Sequence, residues 1–381
     1  MVIIDPIAIT DLVLTSTNVA ETDYAAYNSG TSYALGDKVI LTTATSTVTF
    51  SIASPCVVTW AANGLADRTP IYFTSSGNLP SGIVSGTQYY VVAVDTDTFQ
   101  LSTTLGGASL TTSGSQSGTH TAVAQIHKIF ESLQAANTAH YPSAAASSTW
   151  WQDNGSTNAR KMFDTASSTQ TANSSSIVVT LDPVVIVNAI YLGGVEADSV
   201  TVTVTDDIEG VVYTVTQSMV MSNSNSSFWN WYFKRLKYKM VFVSTQLPSY
   251  INATITVTIT KTGGVAKCGM IALGTIEEVG LSQYGVGLDI KDYSTTQFNF
   301  DGSSTTTERG FVKRMSVDVV LNNDVIDSVY NTLVQFRQKN VVWVGSELYE
   351  GTIVYGKFSS FKNVIPDPSC SKMALQIDGV I

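Results

Sequence analysis

The feature that most constrains the fold is a strict alternation of Thr with Val or Ile in two stretches of the chain. Residues 199–205 read SVTVTVT and residues 253–260 read ATITVTIT. Successive side chains on a β-strand point to opposite faces of a sheet, so a period of two predicts strands with one buried and one polar face. Their β-branched residues also favour a pleated backbone. We therefore expect a mainly β protein.

Length and charge limit the organisation and the partners. A chain of 381 residues is long for one core and predicts several domains. Charged residues make up 13%, about half the usual share, so Ser, Thr, Asn and Gly carry the surface polarity. The net charge of −10 argues against nucleic-acid binding, which needs clustered basic residues. The main basic cluster is diluted by apolar residues and is interpreted as a solvated strand face; it consists of Lys234, Arg235, Lys237 and Lys239.

Neither the cysteines nor the apolar segments indicate a metal site or a membrane span. Cys56, Cys268 and Cys370 lie far apart and show no CxxC or Cys/His spacing, which predicts reduced thiols and no metal. No stretch offers the roughly 18 uninterrupted apolar residues that a membrane helix requires. We expect neither membrane insertion nor a secretory leader.

Motifs for catalysis are missing from the sequence. His120, His127 and His140 have no nucleophile or carboxylate at a known motif spacing, and no GxSxG, HExxH or Walker sequence occurs. The sequence therefore predicts no enzyme and no cofactor. A glycosidase pair built from carboxylates distant in sequence stays open as an alternative.

Residues 1–23 form an apolar N-terminal arm. Its sequence predicts a strand that either pairs with a neighbouring subunit or forms an edge strand of its own chain. Both alternatives remain open at this point.

Residues 24–41 begin a small module that the chain resumes at residues 124–157. The run YNSGTSYALGDKV places an aromatic residue, a tyrosine and a Gly-Asp turn in an order that resembles the carbohydrate-binding modules of chitinases. The second stretch resembles the closing half of such a module, with a strand, a proline and a tryptophan pair. The aromatic residues marked as glycan or interface contacts are Tyr27, Tyr33, Trp150 and Trp151.

The module departs from this family where its sugar platform would lie. The positions directly after the strand hold Leu133, Gln134 and Ala135 instead of exposed aromatic rings. Without those rings, ~1 kcal/mol or more of stacking energy per ring is missing. We therefore interpret Trp150 and Trp151 as mainly structural, at the junction of a split module and the following domain, with glycan binding as the alternative.

Residues 42–123 are predicted to be an inserted β domain. Short strand-like runs alternate with Gly, Asn and Pro turns at spacings that suit an antiparallel sandwich or a small barrel. The runs LPSGI, GTQYYVV and DTFQLS, followed by GTH, resemble a β module that recurs in bacteriophage tail and fibre proteins.

Residues 158–276 show the order of features of another family. The segment ARKMFD, the strand VNAIYLGGV and the closing strand CGMIALG resemble a galactose-binding-like, discoidin-type jelly roll. Within it, residues 228–233 read FWNWYF, and their alternation predicts a strand that sets Trp229 and Trp231 on one face. We expect these tryptophans to contribute to an interface between domains or subunits, or to a ligand pocket.

Residues 277–381 are predicted to form an α+β domain. A strand over 311–321 is followed by Asn322, Asn323 and Asp324 as helix caps and by apolar residues at helical spacing. Strands then return to the end of the chain. The series resembles the C-terminal domain of phage tail and baseplate proteins, which implies assembly into rings.

Together the resemblances imply a non-enzymatic structural protein of a bacteriophage virion, in the tail, tail tip or baseplate. It would be assembled in the host cytoplasm, with other tail proteins and its own copies as partners. Its β modules would project outward as decoration, fibre anchor or host-surface contact. The alternative is a receptor-binding lectin that recognises host glycan.

Overall fold

The computed structural model describes residues 1–143, 147–183, 185–221, 228–233 and 237–380, apart from the side chains of Asn230 and Trp231. The chain forms two compact units. Unit 1 consists of Met1–Ile9, Val13–Val19 and Lys161–Ile381, and unit 2 of Thr10–Leu12 and Ala20–Arg160. The predicted mainly β, multidomain fold is confirmed, with 50% of the chain in strands and 7% in helices.

The first nine strands, in chain order, are β1 (Val2–Pro6), β2 (Leu14–Thr17), β3 (Lys38–Phe50), β4 (Val57–Thr59), β5 (Pro70–Ser75), β6 (Tyr89–Val92), β7 (Thr98–Ser102), β8 (His120–Ser132) and β9 (Trp151–Ser156). The later strands are β10 (Thr171–Leu181), β11 (Ala189–Gly193), β12 (Ser199–Asp206), β13 (Gly210–Ser218), β14 (Val241–Ser244), β15 (Ala253–Cys268), β16 (Met270–Glu278), β17 (Leu281–Ser282), β18 (Gly287–Asp292), β19 (Thr295–Phe298), β20 (Ser304–Thr307), β21 (Phe311–Asn322), β22 (Val341–Val344), β23 (Ile353–Val364) and β24 (Cys370–Gly379). Among the described residues the α-helices are α1 (Phe228–Phe233) and α2 (Ile326–Gln335), with 3-10 turns at Lys161–Phe163, Asn323–Val325 and Glu350–Thr352.

Unit 2 is organised around a ribbon of two long strands. β3 and β8, with 13 residues each, pair from Lys38 opposite Glu131 to Val48 opposite His120. At one end the ribbon closes a barrel in the order β3-β4-β7-β6-β5-β8. Fully buried Phe73, Phe99 and Leu101 fill it. Of the two architectures predicted for residues 42–123, the barrel is observed.

The other end of the ribbon carries a second, smaller core. β9 pairs with β8, and the buried core residues there are Tyr33, Val39, Leu41, Phe130 and Trp151. The predicted boundaries at 41/42 and 123/124 fall inside β3 and β8. A β-bulge between Leu41 and Thr43 marks the place where the ribbon passes from one core to the other.

Unit 1 contains two main sheets. One has the order β13-β12-β15-β10-β2, and the other has ten strands in the order β14-β11-β16-β1-β22-β23-β24-β21-β17, with β18 also paired to β21. Along β12 every second residue is buried, as the period of two predicts. The predicted boundary at 276/277 lies inside β16. β16 is hydrogen-bonded to β1, and β1 to β22, so the sheet is continuous across this boundary.

Of the two alternatives for the N-terminal arm, an edge strand of its own chain is observed for β2, which lies at the end of the five-stranded sheet, whereas β1 fits neither alternative. β1 lies between β16 and β22 of its own chain and is bonded to both, and Ile3 and Ile4 are fully buried. A strand whose two edges are both paired can neither be an edge strand nor pair with a neighbouring subunit. The apolar sequence of β1 therefore reflects its central position in the ten-stranded sheet.

The helix after β21 is confirmed, but its caps are not. Val329 and Leu333 of α2 are buried in the core of the ten-stranded sheet. Asn323 instead bonds residues around the start of β24: its Nδ2 donates to the Asp367 carbonyl at 2.8 Å, and the Ser371 hydroxyl donates to its Oδ1 at 2.5 Å. The asparagine joins two elements, and the helix begins without a side-chain cap.

The strand predicted over 228–233 is also wrong, because these residues form α1. In a helix, side chains four residues apart are neighbours. The rings of Phe228 and Tyr232 stack with centroids 6.3 Å apart, and those of Trp229 and Phe233 with centroids 4.7 Å apart. The side chain of Trp231, with Lys234 and Arg235, lies outside the described residues. In the part of the chain described, neither helix is long and apolar enough to cross a bilayer.

Candidate functional site

The aromatic residues predicted in the split module come together in the smaller core of unit 2. The ring of Trp151 meets those of Tyr33 and Tyr27 edge-on, at centroid distances of 5.1 and 6.0 Å. Trp151 is 3% exposed, and its indole nitrogen donates to the His140 carbonyl at 2.8 Å. Burial raises the pKa of the neighbouring Tyr141 to about 12. Tyr33 and Trp151 are therefore core residues, whereas Tyr27 and Tyr141 are half-buried and pack against that core.

Trp150 lies closer to the surface. Its ring is half-buried and stacks on the imidazole of His140, with centroids 3.8 Å apart and planes 13° from parallel. Its carbonyl accepts from the Leu133 amide at 2.8 Å and from the Asn137 side chain at 3.2 Å. Backbone and ring are therefore both engaged within the module.

A cleft of about 530 Å³ opens beside this aromatic core. One wall is the loop over residues 64–70, which precedes β5, and the opposite wall is formed by β8 and β9. The buried residues Phe130 and Trp151 also line it. Such a volume lies within the about 300–1,000 Å³ of small-molecule sites.

The charged side chains that line the cleft form two pairs, each of one acidic and one basic residue. Lys128 on β8 bonds the carboxylate of Asp153 on β9, and Asp67 lies 3.9 Å from the Arg68 guanidinium. The lining therefore combines carboxylate acceptors with ammonium and guanidinium donors at no net charge. Ser143, also in the lining, has a hydroxyl with no hydrogen-bond partner among the described residues.

A compact ionic cluster surrounds His127 where the ribbon bulges. His127 has a positive φ of 48°. Its Nδ1 lies 2.7 Å from Glu21 Oε1, and its Nε2 lies 3.0 Å from Asp11 Oδ2. Arg160 also bonds Asp11, and the Thr157 hydroxyl donates to Glu21. Both ring nitrogens face carboxylates, so the imidazolium, which donates from both, is the form that satisfies this site.

The pKa values in this cluster move in matching directions. Burial disfavours the imidazolium of His127, but its hydrogen bonds to Asp11 and Glu21 prevail and raise its pKa. Burial likewise opposes the ionised forms of both carboxyls, yet the bonds from His127, with those from Arg160 to Asp11 and from Thr157 to Glu21, lower their pKa values. These bonds link the bulged ribbon to Asp11 and Glu21, so the cluster holds separate segments of unit 2 together.

Unit 1 exposes a long apolar segment, residues 281–311, which we call the arm. It contains β17 and β18, which pair with β21, and the separate hairpin of β19 and β20. The exposed large apolar residues of the arm are Leu281, Tyr284, Leu288, Ile290, Tyr293, Phe298, Phe300 and Phe311. Phe298 is 82% exposed, whereas the core residues of the same unit are under a tenth exposed.

Sequence reasoning found the aromatic core but missed the cleft, the His127 cluster and the arm. The walls of the cleft and the partners of His127 come from segments far apart in the chain, and no local spacing joins them. Trp229, which the sequence marks as a contact, is 69% exposed on α1. Among the described residues, no group of three or more His, Cys, Asp or Glu side chains is placed to hold a metal ion.

Comparisons with known proteins give little. No family model matches the chain, and no curated protein matches it. Among solved structures, the chain is similar to a selenomethionine-labelled point mutant of chitosan-binding module 1, derived from a chitosanase/glucanase of Paenibacillus sp. IK-5. The two are 15% identical over 30% of this chain and 83% of that module, with a TM-score of 0.21. A TM-score this low establishes neither fold nor function.

Proposed function

We propose that this protein is a structural, non-enzymatic component of a bacteriophage tail, tail tip or baseplate, which assembles with copies of itself into a ring in the host cytoplasm. The exposed apolar arm of unit 1 carries this proposal. Residues 79–120, from LPSGI to GTH, resemble a β module of phage tail and fibre proteins, which supports a role in a phage. Other tail proteins would then be its further partners.

The arm has the properties of a segment that is covered in an assembly. An isolated two-stranded hairpin such as β19–β20 is marginally stable in water. Burial of Phe298 and Phe300 against a partner would contribute about 1.5–3 kcal/mol each. Among the described pairings β18 bonds β21 on one side, which leaves its other edge for a strand of another chain.

Unit 1 also exposes apolar side chains outside the arm. On α2, Tyr330 is 53% and Val334 is 47% exposed, and after β23 Ile365 is 62% exposed. A head-to-tail contact joins two different patches, and the arm and these residues would supply the two patches. Head-to-tail contacts close into a ring when the rotation between copies permits it.

Light scattering coupled to size exclusion, followed by negative-stain electron microscopy, tests the assembly. We expect rings for the wild type and a monomer for the double variant Phe298→Ser/Phe300→Ser. The matched control is Ile208→Ser, which removes a residue that is 93% exposed elsewhere in unit 1 and should leave the rings intact. A wild-type monomer at high concentration would refute the proposed assembly.

Labelled electron micrographs of the phage particle test the virion assignment separately. An antibody against this protein should decorate the tail or its tip. Label on the capsid, or on no part of the particle, would overturn the tail assignment while leaving the assembly result unaffected.

The second candidate function is recognition of a host-surface glycan by unit 2. The predicted aromatic residues do not favour it, because Tyr33 and Trp151 are buried. The cleft does favour it, because it is open to solvent and lined by both apolar and hydrogen-bonding side chains. A glycan array screened with the purified protein tests this function, and no binding to any glycan would rule it out.

A further inference from the structure

We infer that the cleft between the loop of residues 64–70 and strands β8 and β9 binds a neutral, polyhydroxylated sugar unit. This inference rests on the second candidate function, glycan recognition, and gives it a location and a ligand class. Of the predicted aromatic residues Tyr27, Tyr33, Trp150 and Trp151, Trp151 lines this cleft.

The charge balance of the lining selects the ligand class. Asp67 and Asp153 offer acceptors, and Arg68 and Lys128 offer donors, so a strongly anionic or cationic ligand would meet as much repulsion as attraction. Each hydroxyl of a sugar is both a donor and an acceptor and can bond to either kind of group. A neutral polyol therefore matches this lining better than a phosphate or an amine does.

The apolar part of the lining suits the carbon skeleton of such a ligand. Ile126, Pro70 and Pro142 line the cleft beside the edges of Phe130 and Trp151. These groups offer van der Waals contact to the C–H groups of a sugar ring. Because both rings are nearly fully buried, we expect contact with their edges and no stacking on their faces.

The loop that forms one wall is held in place before any ligand arrives. Asn63, which is 1% exposed, donates to the carbonyls of Asp95 and Thr96 at 2.8 and 3.0 Å and accepts from the Leu65 amide at 2.9 Å. Arg68 has a positive φ of 69°, a backbone conformation that residues other than glycine rarely adopt. Its amide donates to the Val91 carbonyl at 2.7 Å. A preformed wall lowers the entropy that binding must overcome.

One polar group of the lining lacks a partner among the described residues. The Ser143 hydroxyl is buried without a hydrogen bond there. Buried hydroxyls are normally bonded to protein, water or ligand. Rotation of the Ser143 side chain toward the cleft would let this hydroxyl bond to a sugar hydroxyl.

The experiment is a screen of neutral oligosaccharides on an array, followed by calorimetric titration of the best binder and of a sialylated oligosaccharide of similar length. We expect the wild type to bind the neutral sugar more tightly. Arg68→Gln and Asp153→Asn should each weaken binding at least about tenfold, because each removes a hydrogen bond to a charged group. The matched control is Gln152→Ala, an exposed neighbour of Asp153 on β9 that does not line the cleft, and it should bind as the wild type does.

The outcomes separate the two levels of the inference. Absence of any glycan binding would overturn the second candidate function and the site together. Binding that Arg68→Gln, Asp153→Asn and Ser143→Val all leave unchanged would overturn the cleft while keeping glycan recognition. Tighter binding of the sialylated sugar would overturn the assigned ligand class. Circular dichroism of each variant verifies folding, and the Asp67→Asn variant replaces any that fails to fold.

Discussion

Replacement of Trp151 by alanine should destabilise unit 2 far more than replacement of its neighbour Trp150. Trp151 is 3% exposed and lies in the core with Tyr33, Leu41 and Phe130. Removal of a fully packed tryptophan costs about 3–5 kcal/mol of unfolding free energy. It also leaves the His140 carbonyl without its indole donor, a further ~1 kcal/mol. A domain has about 5–15 kcal/mol of stability, so this loss is a large share of it.

The matched control is Trp150→Ala. The ring of Trp150 is half-buried, stacks on His140 and packs against the edge of the core, so its loss should cost less, about 1–2 kcal/mol. Trp151→Phe keeps a ring in the core and should fall between the two variants. The assay is urea unfolding followed by circular dichroism, with hydrogen exchange of β3, β8 and β9 to assign the loss to unit 2.

Equal losses for Trp151→Ala and Trp150→Ala would refute the reasoning, because burial and edge-on ring contacts would then not decide the stability of this core. A large loss of unfolding free energy for Trp151→Ala with unchanged hydrogen exchange in β8 and β9 would refute the assignment to this part of unit 2. Glycan affinity of Trp150→Ala, measured in parallel, separates a binding role of that ring from a structural one.

Two further predictions follow from the ionic cluster and from the ten-stranded sheet. Because the folded state raises the pKa of His127, its stabilising contribution is present below its ordinary pKa and is lost as the pH rises through the raised value. The difference in thermal midpoint between wild type and His127→Gln should therefore shrink toward alkaline pH, and a difference that grows between about pH 5 and 9 would contradict this. Gly274→Ala should destabilise unit 1 by about 3 kcal/mol or more, because an added Cβ would lie 1.9 Å from the Asp5 carbonyl oxygen. Gly264→Ala is the control, since its new methyl group would meet the flexible Lys261 side chain, and similar denaturation midpoints for the two variants would contradict the prediction.

Much of the secondary structure could be predicted from local pattern. Period two gives the strands β12 and β15, whose alternating Val and Ile residues are buried, because strand geometry alone decides which side chains share a face. The same rule failed at residues 228–233. Five aromatic residues among six consecutive positions fit a strand and a helix equally well, and ring stacking between residues four apart is visible only in the structure.

Strand pairing and the cleft could not be predicted in this way. β1 pairs with strands that begin at residues 270 and 341, and no local feature of the sequence VIIDP specifies those partners. The cleft is made by residues 64–70 together with β8 and β9, which are brought together by barrel closure. Sequence spacing identifies sites on one element, whereas this site depends on the register of several.

The ribbon of β3 and β8 explains how a barrel can lie within the split module without a break in either. The first and last strands of the barrel, β3 and β8, are antiparallel neighbours. Their hydrogen-bond ladder therefore runs without interruption from the barrel core into the smaller core. The change of direction needs a bulge, and there His127 takes a positive φ that costs energy in a residue other than glycine. Its ring lies between Asp11 and Glu21, from the two segments of unit 2 that flank β2 in the chain. The ionic bonds that offset the strained bulge therefore also fix these two segments to β8, which gives the histidine and its two carboxylate partners a structural role.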